Sequence, residues 1–126
     1  MHIQRWPSSG NGRSRTVAHS GMVWTVANAH DPQADFDAQV AQSLQMLEEH
    51  LLAAGSARTH LLSVQVLLSD IAHRAAFDVQ WQAWIGPNPA HWPQRACFAV
   101  GLAGGLLVEL VVVAASAQAH QHGVDS

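Results

Sequence analysis

Leu106-Leu107-Val108-Glu109-Leu110-Val111-Val112-Val113-Ala114-Ala115 is a run in which every second residue belongs to an apolar set. On a β-strand, Leu106, Val108, Leu110 and Val112 point one way, while Leu107, Glu109, Val111 and Val113 point the other. Both faces of this strand are therefore apolar. The rest of the chain offers two helical segments, and right-handed crossovers between parallel strands place both on one face of a sheet. The second face needs another cover, and the simplest is another copy of the chain. The pattern predicts an α+β domain with a mixed sheet, two helices on one face and homo-oligomeric assembly, without setting the copy number.

The strand closes an apolar segment, Ala96 to Ala117, long enough to raise the question of a membrane span. Gly101, Gly104 and Gly105 interrupt it and Glu109 falls near its middle, which lipid tolerates poorly. A β-hairpin is the better reading: Arg95 to Val100 and Leu106 to Ala115, turned by Gly101 to Gly105, with no membrane partner. Arg95 and Glu109 are the two charges found between Asp78 and Asp125. Isolated charges in apolar surroundings need partners. Two readings stand open for them, a functional site and a structural ion pair.

Upstream, Ser8 to Gly12 is a loop of small turn residues. Arg15 to His19 and Met22 to Ala27 read as strands around a Ser20-Gly21 turn. Asp31-Pro32 is expected to start a helix whose core face is Phe36, Val40, Leu44, Leu47 and Leu51, with Gly55 ending it. His60 to Leu68 is a strand with Leu62, Val64, Val66 and Leu68 on one face. Ser69-Asp70 caps a second helix running to about Trp84, and Gly86-Pro87-Asn88-Pro89 stops it. Trp81 and Trp84 share a helix face and read as packing residues, whereas Trp24 and Trp92 are better placed to line a pocket. The order is β-β-β-α-β-α-β-β, one domain over 1–126, with a core of about 13–115 and a tail, 116–126, expected to fray.

Composition narrows the chemistry. The chain has 126 residues, a net charge of −3 and six basic residues that are all arginine. No basic stripe is available to neutralise phosphates, so no nucleic-acid partner is expected. Lacking lysine and tyrosine, the chain cannot run Schiff-base chemistry or use a phenol as acid or base. Cys97 is the sole cysteine, so an internal disulfide is impossible and a reducing, cytoplasmic setting is expected. The N-terminus lacks the apolar core of a signal peptide. Nine histidines show no ligand-pair spacing, so no metal site is expected, and His120 and His122 sit on the tail. Gly101-x-x-Gly104-Gly105 lacks the lysine and following helix of a phosphate loop.

Pro93-Gln94-Arg95-Ala96-Cys97 resembles the Pro-Ala-Arg-Ser-Cys signature of the reactive intermediate deaminase (Rid, YjgF-like) family, and Val108-Glu109-Leu110 its closing Val/Ile-Glu-Ile. Leu52-Ala53-Ala54-Gly55-Ser56 and Val64 to Asp70 fall in matching places, so the resemblance spans about residues 13 to 115. It implies a chorismate-mutase-like fold, a homotrimer and a cofactor-free site in the cleft between neighbouring subunits. The substrate class it implies is a small enamine or imine acid, hydrolysed to a 2-keto acid and ammonium. By this resemblance Arg95 grips the substrate carboxylate, a role suited to its planar fork of donors. Glu109 positions or activates the attacking water, and Cys97 lines the cleft, although a small buried apolar role fits Cys97 equally.

Arg13, Ser14, Trp24, Asn28, Asp78 and Trp92 complete the expected substrate-binding set. Three depart from the family pattern. Arg13 stands where the well-known deaminases carry tyrosine, Val26-Ala27-Asn28 replaces Ser-Gly-Gln, and Asp78 replaces an asparagine. The resemblance so implies an imine or enamine deaminase with a remodelled pocket. The alternative is a non-catalytic trimer holding a small carboxylic acid in the same cleft.

Overall fold

The computed structural model describes residues 2–117. The tail histidines, His120 and His122, lie outside the described residues. A six-stranded sheet has the order β1-β2-β3-β6-β4-β5. Its strands are β1 (Gln4–Pro7), β2 (Ser14–His19), β3 (Met22–Asn28), β4 (Leu61–Leu68), β5 (Gln94–Ala99) and β6 (Val108–Ala115). Helix α1 (Phe36–Ala53) connects β3 to β4, and α2 (Arg74–Ile85) connects β4 to β5. The expected β-β-β-α-β-α-β-β order is observed, with Gln4–Pro7 as the first of its three leading strands. All pairs are antiparallel except β4 with β5.

Local signals explain most boundaries. Ser20 and Gly21 have φ of 52° and 80°, the positive pair that a tight hairpin turn between β2 and β3 requires. Helix α1 begins a turn later than expected. Asp31 Oδ1 accepts from Gln33 N at 2.9 Å in an Asx turn, and Asp35 is the true N-cap, accepting from Ala38 N at 2.9 Å. At its other end Gly55 N reaches Leu52 O and Ser56 N reaches Leu51 O, at 3.2 and 2.8 Å. This is a Schellman closure, and Gly55 supplies the positive φ of 79° that it needs. Asp70 caps a 3-10 turn, Ile71–His73, which leads into α2.

Two expectations need correction. The segments Arg95 to Val100 and Leu106 to Ala115 do not form a hairpin. β4 lies between β5 and β6, because the parallel β4–α2–β5 crossover sets β5 outside β4 while β6 inserts between β3 and β4. Leu62 is not on the core face. A register shift between Leu61 and Ser63 reverses the alternation, so Leu61 is buried and Leu62 is 45% exposed.

The core lies between the sheet and the two helices. Val23, Ala27, Val64, Val66, Leu68, Val108, Leu110 and Val112 meet Val40, Leu44, Leu47 and Leu51 of α1 and Phe77, Trp81 and Ile85 of α2. β6 starts at Val108, two residues after its expected start, because Leu106 N closes a turn onto Ala103 O and Leu107 N is taken into a polar knot around Gln39. Gln39, wholly buried, donates from Nε2 to the carbonyls of Pro32, Ala34 and Gly105, and its Oε1 accepts from Leu107 N at 2.8 Å. The approach is close enough that a Cβ on Gly105 would meet Pro32 O at 2.3 Å.

The opposite sheet face has no cover among the described residues. Trp24, Val26 and Phe98 are exposed there, with Leu67, Val111 and Val113 half-buried around them. An apolar area of this kind marks an interaction surface.

Candidate functional site

β5 is an edge strand, and its parity aims Arg95 at the helix layer. Arg95 is in register with Val64, a core residue, so both side chains project toward α2. There Arg95 Nη2 contacts Asp78 Oδ1 at 2.6 Å, with the two side chains 18% and 30% exposed. The guanidinium carbon lies 5.5 Å from the Phe77 ring centroid and 5.8 Å from that of Trp81, within cation–π range. Trp81 stands four residues after Phe77 and three after Asp78, spacings that put each beside it on α2, so the helix offers Arg95 a carboxylate and two aromatic rings. The ion partner of Arg95 is thus Asp78 and not Glu109.

This pair forms one wall of a cavity of about 730 Å³, also lined by Trp81, Ile85, Pro87, Trp92 and Pro93. The volume falls in the range of small-molecule sites. Trp92 is half exposed and is oriented by a hydrogen bond from Nε1 to Gly86 O at 2.9 Å. Gly86 itself ends α2 with a φ of 81°, which turns the chain back over the cavity. Cys97 is in register with Val66, so it faces the helix layer two residues beyond Arg95 and packs against the core.

Glu109 occupies the other face of the sheet. It is in register with Asn28 on β3 and Leu67 on β4. Asn28 Nδ2 donates to Glu109 Oε1 at 3.2 Å, joining two of the expected site residues. Trp24 is on this face as well, four residues back along β3. Arg13 is exposed and folds over Gly10, where an added Cβ would meet its guanidinium at 2.2 Å; Ser14, half-buried, opens β2.

Apart from Arg13 and Ser14, the expected set therefore divides into two clusters. Arg95, Asp78, Trp92 and Cys97 belong to the helix side, and Glu109, Asn28 and Trp24 to the exposed sheet face. Trp81, Ile85, Pro87 and Pro93 were not anticipated as lining residues. The signal for Trp81 was present, because it lies three residues after Asp78 on one helix face. For the others only tertiary placement of the loop after α2 reveals the role. Among the described residues, no group of three or more His, Cys, Asp or Glu is placed to hold a metal ion, and no helix is long and apolar enough to cross a membrane.

Known structures share this architecture. The chain is similar to an uncharacterized protein from Pseudomonas aeruginosa at 31% identity, with 91% of this chain and 99% of that one covered and a TM-score of 0.82. A member of the YjgF protein family from Neisseria meningitidis matches at 24% identity over 92% and 96% of the two chains, with a TM-score of 0.83. A Rid-family protein of unknown function from Yersinia pestis matches at 20% identity over 88% and 93%, with a TM-score of 0.78, and shows the fold. No match was found among curated proteins. Residues 4–116, which include β1 and so extend beyond the segment expected from motifs, match the sequence pattern of the family described as Endoribonuclease L-PSP, and the chain therefore belongs to that family.

Proposed function

We propose that the protein is a cofactor-free deaminase that hydrolyses small 2-imino or 2-enamino acids to 2-keto acids and ammonium. The observation that carries this reading is the Arg95 guanidinium set in an aromatic and apolar cavity of about 730 Å³ at the sheet edge. A guanidinium there offers a carboxylate a planar set of donors beside aromatic and apolar walls. The resemblance of Arg95, Cys97 and Glu109 to the deaminase signatures described above supports the same assignment, and all three lie within the residues that match the family.

One chain does not bring these groups together. Arg95 is level with Val64 and Val112, while Glu109 lies three residues along β6 and on the other face. The offset is roughly 10 Å along the strands plus two strand spacings across. A small ligand on Arg95 reaches a Glu109 carboxylate only if a second copy supplies it. The uncovered sheet face carrying Trp24, Val26 and Phe98 supplies a surface for such assembly. The homotrimer is the arrangement proposed here, with Glu109 of the partner subunit facing the Arg95 cavity.

In the reaction, Arg95 holds the carboxylate of the iminium acid. The carboxylate of Glu109 takes a proton as the water oxygen bonds to the imine carbon, and the C–N π pair moves to nitrogen. Return of that proton to nitrogen makes an ammonium leaving group. The oxygen then forms the carbonyl as the C–N bond breaks, and the hydroxyl proton leaves with the released ammonia as ammonium. One iminium acid and one water thus yield one keto acid and one ammonium.

The test is the rate of imine hydrolysis, with imines produced in situ by an amino-acid oxidase and followed by semicarbazone trapping. Acceleration by wild type that is lost in Arg95→Ala supports the assignment. No acceleration across a panel of amino acids, with assembly intact, sinks it. A second reading, a non-catalytic trimer binding a small carboxylic acid, draws on one observation: both candidate charges already have partners, Arg95 in Asp78 and Glu109 in Asn28. Binding without turnover is its signature.

A further inference from the structure

We propose that Asp78 makes the Arg95 cavity selective for zwitterions, molecules with a carboxylate for Arg95 and a cationic nitrogen for Asp78, over plain carboxylate anions. The inference rests on the proposed reading of this cavity as the substrate site, and it names which charge state of ligand the site accepts.

Asp78 and Arg95 are the charged residues lining the cavity, and they carry opposite charges in contact at 2.6 Å. The other walls named above, Trp81, Ile85, Pro87, Trp92 and Pro93, contribute no formal charge. Within one subunit the cavity is therefore neutral, its cation already neutralised from within, and Glu109 of the partner subunit, facing it in the proposed assembly, adds negative charge. Phe77 and Trp81 flank the guanidinium, so the pair sits against rings and is screened less than an exposed pair.

A carboxylate anion that engages Arg95 must crowd or displace Asp78. Either outcome sets two carboxylates side by side in a half-buried site, where like charges are costly. A zwitterion avoids this: its carboxylate replaces Asp78 on the guanidinium, and its cation replaces Arg95 on the Asp78 carboxylate. In a 2-iminio acid the two groups sit on adjacent carbons, a separation suited to side chains that are themselves in contact.

The substrate of the proposed reaction, as its protonated imine, is such a zwitterion, whereas the keto-acid product is a bare anion. Asp78 therefore favours retention of substrate and expulsion of product. It acts as a specificity-determining residue, since the bond changes occur between water, Glu109 and the imine carbon. The apolar walls favour an aliphatic side chain on the ligand.

The probes are leucine, a stable zwitterion, and 4-methyl-2-oxopentanoate, the matching keto acid. Each is titrated calorimetrically into the assembled wild-type protein, Asp78→Asn and Asp78→Glu at equal pH and salt. Wild type is expected to bind leucine more tightly than the keto acid. Asp78→Asn, which keeps the side-chain shape, is expected to shift that ratio toward the keto acid by about tenfold, the scale of one partly shielded charge contact. Asp78→Glu keeps the wild-type preference, and unchanged melting temperatures establish that the variants are folded. A ratio that stays put in Asp78→Asn overturns the proposal, as does failure of wild type to bind either probe. Imine turnover read on the same preparations separates the two ideas. Turnover with an unshifted ratio removes the selectivity and leaves the deaminase, whereas a shifted ratio without turnover does the reverse.

Discussion

Arg95 and Glu109 lie on opposite faces of one sheet, with β4 between their strands. Their separation turns the proposed chemistry into a statement about assembly. If each site takes Arg95 from one subunit and Glu109 from the next, two inactive variants should complement each other. Arg95→Ala and Glu109→Gln, each expected to be inactive alone, should regain activity when unfolded together and reassembled. Random mixing in a closed ring leaves about a quarter of the clefts with both native groups. Mixtures that stay as inactive as their parents would place the two residues in separate roles.

The exposed sheet face gives a second expectation. Val26 is 39% exposed and stands beside Trp24 and Val111 on a face that no other described residue covers. A charge placed there leaves the fold of one subunit almost untouched but meets apolar surface in any assembly built on that face. Val26→Glu should convert the protein to a 13.5 kDa monomer by light scattering while retaining its far-UV circular dichroism. An unaltered oligomer would assign the interface to another surface.

Alternation and turn chemistry carried most of the architecture. Ser20-Gly21, Gly55 and Gly86 mark turns or ends that need positive φ, and the β6 alternation foretold both a buried and an uncovered face. What local pattern lacked was partner choice. An apolar strand reads the same whether its neighbour is the next strand in sequence or an earlier one, and so β5 and β6 resembled a hairpin. The Leu61–Ser63 irregularity was hidden for a related reason, since an unbroken apolar run conceals a shift of one residue. At the site, Asp78 and Arg95 both stand out in the sequence, but their contact depends on how α2 packs over the edge of the sheet.

Gln39 shows what such tertiary placement can cost to disturb. Its amide is the shared partner of three carbonyls and the Leu107 N–H, which come from the turn before α1 and the loop before β6. Replacing it by leucine keeps comparable bulk but leaves those backbone groups without their partner in a buried place. The expected loss is about 3 kcal/mol of unfolding free energy, because orphaned buried polar groups cost roughly 1–3 kcal/mol each and some regain water. Urea denaturation measures it. A loss below about 0.5 kcal/mol, the scale of an ordinary surface change, would show that the loop is held by other contacts.

His50 gives the fold a pH dependence whose sign can be worked out. It is buried at the end of α1, with Nδ1 3.0 Å from Thr25 Oγ1, and Thr25 Oγ1 lies 2.8 Å from that of Thr16. Burial, followed by the positive charge of Arg15, lowers its pKa below the ordinary 6.5; a hydrogen bond with the Val26 backbone and the charge of Glu49 oppose the shift without reversing it. The unfolded chain therefore binds the His50 proton more readily than the folded one. Stability from this group is complete above pH 6.5 and declines as pH falls from there through the lowered folded value. Wild type should lose melting temperature between about pH 7.5 and pH 5.5, before most carboxylates titrate. His50→Gln, which can still hydrogen-bond but cannot gain a proton, should start lower at pH 7.5 and decline less over that interval. Parallel melting profiles for the two proteins would remove His50 as the source of the dependence.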